Sequence, residues 1–147
     1  MIVPVRVIVN DKEETVYAML DGGANRVVVS GRLADMMDME TDTKKVSLYT
    51  VEGVTCGNRD LADFRIMSLD GSVNILISQA LVLDSLTADK EHPPRNIETE
   101  GHPYLEGVRF DELNSDTVDI ILLSEYAYTW FEYLELRRST SDKALAI

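Results

Sequence analysis

A single, mainly β domain is the fold class this sequence predicts, and three observations carry it. Short runs rich in β-branched residues recur at 2–9, 27–29, 46–51 and 73–77. Turn-forming residues separate the runs, with Asp70-Gly71 the strongest hairpin signal in the chain. Only residues 32–39 combine helical spacing of apolar side chains with an N-cap in front, Ser30.

Taken in order, residues 2–9 alternate around Pro4 and Arg6, and 15–20 form a second strand after the turn-like Asn10-Asp11-Lys12-Glu13, giving an opening hairpin. Val27-Val28-Val29 is too short and too β-branched for a helix, and Leu33, Met36 and Met37 give the helix after it an apolar face. Residues 46–51, the turn at Glu52-Gly53 and a run resuming at Val54 predict a second hairpin; 64–69 and 73–77 around Asp70-Gly71 predict a third, with 80–83 a further strand. Between Asp84 and Asp116 the pattern breaks down, with nine acidic against three basic residues. Leu86, Ile97, Tyr104, Leu105, Val108 and Phe110 are apolar anchors that predict a docked segment. Residues 118–123 then form an apolar run broken only by Asp119, which predicts a fully buried strand. The aromatic stretch 126–136 fits a helix or a strand, and 139–147 reads as a flexible tail behind a domain at 1–138.

Composition bounds the function. The chain has 147 residues, 45% hydrophobic and 27% charged, which suits one globular core. No apolar run approaches the roughly 20 residues that cross a bilayer. A net charge of −12 leaves no basic patch to displace counterions from phosphates, so nucleic acid and anionic membranes are poor partners and a protein or peptide is the better one. The N-terminus lacks a secretory pattern, the single Cys56 cannot form an internal disulfide, and a cytoplasmic home is expected. The strand-like start suggests a piece excised from a longer protein. His92 and His102 flank prolines without metal-ligand spacing, and no metal or other cofactor is expected. Cys56 has no neighbouring His to make it a nucleophile.

The candidate site is Asp21-Gly22-Gly23-Ala24, set between the apolar run ending at Leu20 and the strand from Val27. An acid, two glycines and a small residue between strands can be no more than a tight turn with positive φ. Together with Leu48, Tyr49, Thr50, Val51, Glu52, Gly53, with Pro93-Pro94-Arg95, and with the stretch from Val118 to Leu123-Ser124-Glu125-Tyr126, however, it resembles the retropepsin-like aspartic protease domains of BEL/Pao-type retrotransposons. The resemblance implies a closed β-barrel protomer with one or two short helices, and a homodimer whose active site forms at the two-fold axis. It implies that Asp21 is the catalytic acid/base of each protomer, that residues 49–53 form a flap over a groove for an extended peptide, and that residues 123–125 are the second motif. Gly23 would allow close approach of the two loops.

Two departures stand out against that pattern. Gly22 occupies the position where the family carries a hydroxyl residue, and Leu123 and Glu125 replace the glycine and the acid of the second motif. Each buried hydrogen bond lost is worth about 0.5–1.5 kcal/mol, doubled by symmetry. A catalytically degenerate domain retained for homodimerisation and peptide interaction is therefore the expected function, with an active endopeptidase cleaving a polyprotein or host protein as the alternative. The cluster of Tyr126, Tyr128, Trp130, Phe131 and Tyr133 is either a partner surface or core packing.

Overall fold

In the computed structural model, residues 1–50, 53–86, 93, 95–96, 102–123, 125–126, 136–138 and 144–146 are described. Strands β1 (Ile2–Val9) and β2 (Lys12–Leu20) form the opening hairpin, joined through Asn10 in the left-handed region at φ 51°. A seven-residue loop leads to β3 (Val28–Ser30) and then to helix α1 (Gly31–Met36). Ser30 caps the helix as its sequence position predicts, its hydroxyl accepting the Leu33 N–H at 3.1 Å. The helix is shorter than its apolar spacing suggests. Leu33 and Met37 are buried, while Met36 lies 40% exposed.

The middle of the chain departs from the two separate hairpins and further strand that its sequence predicts. Strands β4 (Thr41–Thr50), β5 (Gly53–Met67) and β6 (Asn74–Leu83) form one continuous meander in which β5 pairs with both neighbours. Gly57, Asn58 and Asp60 hide the continuity of β5 because their intrinsic strand preference is low. Pairing with Thr43, Lys45 and Val46 overrides it. In β6, the expected strands at 73–77 and 80–83 are one, bent at Gln79 with φ 56° opposite a register shift in β5. The Asp63 carboxylate accepts the Gln79 N–H at 2.7 Å, occupying a donor the bent ladder leaves over.

Strand β7 (Val118–Leu122) completes the sheet. The order β1-β2-β7-β3-β6-β5, with β5 returning to β1 through Arg6–Met67, Val7–Ile66 and Ile8–Arg65, closes a six-stranded barrel to which β4 is appended at the edge. Val5, Val7, Val29, Leu33, Ile66, Ile77, Ile120 and Leu122 fill its interior with almost no exposure. The segment before β7 is docked, as its apolar anchors predict: Leu105 and Val108 are buried around the 3-10 turn Pro103–Leu105. Tyr17 reaches across to it, with its hydroxyl accepting the Leu113 N–H at 2.8 Å. Strands β8 (Leu136–Arg138) and β9 (Ala144–Ala146) pair antiparallel in a separate ribbon, so part of the segment read as a tail takes strand geometry. Ile97 and the aromatics Tyr128, Trp130, Phe131 and Tyr133 lie outside the described residues, as does His92.

Candidate functional site

β2 and β3 are consecutive in sequence yet are not neighbours in the sheet. β7 lies between them, parallel to β2 and antiparallel to β3. The 21–27 loop must therefore cross the C-terminal end of β7, and the Asp21 N–H donates to the Leu122 carbonyl at 3.1 Å. The Asp21 loop is thus bonded to Leu122, the residue before Leu123 of the second motif. Asp21 is half-buried while Gly22 and Gly23 are exposed.

The loop is tied by Asp21 itself. Its Oδ1 accepts the Gly23 N–H at 2.8 Å, and its carbonyl accepts the Ala24 N–H at 3.2 Å. This aims one carboxylate oxygen into the loop and leaves Oδ2 without a hydrogen-bond partner among the described residues. Neither Gly22 nor Gly23 adopts positive φ, in contrast to Gly53, Gly71 and Gly107. The loop is thus an acid-tied crossing, not a left-handed glycine turn. A Cβ on Gly22 would meet nothing within 4 Å, whereas one on Gly23 would meet Asp21 Oδ1 at 3.4 Å.

Leu123 follows directly on β7, half-buried and packed against the barrel core together with Tyr126. Ser124 lies outside the described residues. The β4–β5 hairpin extends beyond the barrel: Tyr49 is 75% and Val54 57% exposed, and they pair across the two strands. At its base Val46 and Leu48 pack with Val28, Leu61 and Leu81, so the hairpin is seated beside the exit of the Asp21 loop. Gly53, φ +133°, pairs with Thr50 next to its tip, whose residues Val51 and Glu52 lie outside the described part.

Sequence reasoning passed over a second polar cluster. Asp119, 1% exposed on β7, accepts the Ser30 hydroxyl at 2.6 Å on Oδ1 and the Arg32 guanidinium on Oδ2. Ser30 in turn accepts the Leu33 N–H, so one chain of bonds links the helix cap, β7 and a half-exposed cation. Its signal was a lone acid inside an apolar run. Among the described residues no group of three or more His, Cys, Asp and Glu side chains could hold a metal ion, and His102 sits in the exposed segment before the Pro103 turn. Cys56 is exposed, with its sulfur 3.1 Å from the Ser47 hydroxyl.

The fold and this site together define a closed six-stranded β-barrel with an acid-bearing loop crossing the end of an inserted strand. In comparison with known proteins, no protein-family model matches the chain and no curated protein sequence matches it. No helix among the described residues is long and apolar enough to cross a membrane.

Proposed function

We propose that this chain is a retroelement-derived, retropepsin-like protomer of the BEL/Pao type, catalytically degenerate, acting in the cytoplasm as a homodimerisation and peptide-interaction module. The observation that carries the reading is the crossing of the Asp21 loop over β7, fastened by the Asp21 N–H to Leu122 carbonyl bond. Two such loops facing across a two-fold axis would bring two Asp21 carboxylates together. The exposed β4–β5 hairpin beside them would close over an extended peptide. Degeneracy is supported by Gly22, which has no hydroxyl to brace a pair of such loops, and by Leu123, a bulky side chain packed on the core where the family carries a glycine.

One observation favours the alternative, an active dimeric endopeptidase. Asp21 keeps one oxygen fixed by Gly23 and the other unengaged, which suits an acid whose free oxygen must face water or a scissile carbonyl. Two carboxylates that close would share a proton. The ionised member would deprotonate the attacking water while the protonated one donates to the carbonyl oxygen; proton return to the departing amine would complete cleavage.

Sedimentation over a concentration series, comparing the native chain with Asp21→Arg, tests the assembly. A dimer that becomes monomeric on charge reversal is the expected result, and a native monomer at high micromolar concentration would refute the proposal. Peptidase activity at mildly acidic pH that disappears in Asp21→Asn would replace the degenerate reading with the enzymatic one.

A further inference from the structure

The two neighbours of β2 do not cover it equally. β1 pairs with β2 from Lys12 to Met19, whereas β7 joins it only from Tyr17 onward. The other edge of residues 12–16 therefore has no strand partner among the described residues. It opens into a cleft of about 390 Å³ in line with the start of β7. Arg32 and Met36 of α1, together with Glu112 to Ser115, form part of its lining. Lys12 bridges to α1, its ammonium donating to the Met36 carbonyl at 3.4 Å and to Asp38. Buried Asp119 lines the cleft as well, already engaged by Ser30 and Arg32.

The charges decide what fits. Glu14 on β2 and Glu112, whose Oε1 accepts the Asn96 N–H at 2.5 Å, are both exposed carboxylates of the lining. Among the described lining residues Arg32 is the one cation, and one of its nitrogens is committed to Asp119. With the Arg32–Asp119 pair neutral, Glu14 and Glu112 leave the cleft negative, and the chain as a whole carries −12. Met36 and Leu113 supply apolar surface beside them.

We propose that this cleft is a strand-addition site for an extended segment of a partner protein that alternates basic and apolar side chains. The partner backbone would pair with the open edge of β2 at 13–16, a basic side chain would lie between Glu14 and Glu112, and its apolar neighbours would cover Met36 and Leu113. The site stands at the opposite end of β7 from the Asp21 loop and does not depend on dimerisation or on the protease reading.

The test uses the full chain, isotopically labelled for amide NMR, titrated with a short blocked peptide alternating lysine and valine. Amide shifts concentrated at residues 13–16, at Arg32 and at 112–117 are expected, unchanged in Asp21→Arg. Charge reversal of both exposed acids, Glu14→Lys with Glu112→Lys, should weaken binding by about tenfold or more, as should glutamate in place of lysine in the peptide. N-methylation of alternate peptide amides should abolish the response, because it removes the strand-pairing donors. No binding at millimolar peptide, equal binding by the charge-reversed chain, or shifts centred on the Asp21 loop or the β4 edge would overturn the proposal.

Discussion

Removing Arg32 should cost more than neutralising the acid it pairs with, although Arg32 is the more exposed of the two. In Arg32→Met the Asp119 carboxylate stays 1% exposed with Ser30 as its remaining partner. Stranding one charge of a buried pair costs about 3–5 kcal/mol, and the adjoining cleft, by admitting water, favours the lower figure. In Asp119→Asn the shape is kept and Arg32, its side chain 53% exposed, remains hydrated, so two charge-assisted bonds weaken at a cost of about 1–1.5 kcal/mol. The double variant has no buried charge left and should lose only about 2 kcal/mol, less than the sum of the singles. A coupling of roughly 2 kcal/mol follows. Equilibrium urea denaturation of the four proteins measures it, provided the slopes agree. Additivity to within about 0.5 kcal/mol, or a larger loss in Asp119→Asn than in Arg32→Met, would refute the reading of Asp119 as a buried anchor paired with Arg32.

Asp70 offers a pH-dependent readout in the β5–β6 turn. The Ser68 hydroxyl, then the Ser72 N–H and hydroxyl, hold its carboxyl down to about 2 from the ordinary 3.8. The sign follows: its contribution is complete above the unfolded value near 3.8 and is lost as pH falls through about 2. NMR titration should find that midpoint, and Ser68→Ala should raise it; an unmoved midpoint would remove the serine as the cause. At the candidate site, Gly22→Thr should leave stability within about 1 kcal/mol, because its Cβ enters open space at ordinary φ. Leu123→Gly should cost about 1–3 kcal/mol through lost packing on the core. Thermal unfolding of both checks the contrast, and equal losses would contradict it.

The β class, the opening hairpin, the Ser30 cap and the buried β7 were legible because each rests on local pattern: alternation, a capping hydroxyl, an apolar run. The continuity of β5 was not, since Gly57 to Asp60 look like a break until β4 pairs alongside. The place of Asp21 at a strand end could be read, but its contact with Leu122 could not, because it depends on β7 entering the sheet between β2 and β3. Asp119 shows the same limit more sharply. An acid flanked by Val118 and Ile120 in a buried strand requires a partner, yet Arg32 lies 87 residues away and only the topology brings the two together.

That topology gives the buried pair a reason to exist beyond stability. β7 is apolar but for Asp119, with Ile120 and Leu122 in the barrel interior and Asp119 turned to Ser30 and Arg32. A strand with so uniform a sequence carries little intrinsic register information, and a slip of one residue would exchange its two faces. Such a slip would carry the Asp119 charge into the interior, away from Ser30 and Arg32, at a cost of several kcal/mol. It would also move Leu122 out of reach of the Asp21 N–H. The polar anchor at one end of β7 thus favours the register that places the Leu122 carbonyl under the Asp21 N–H at the other.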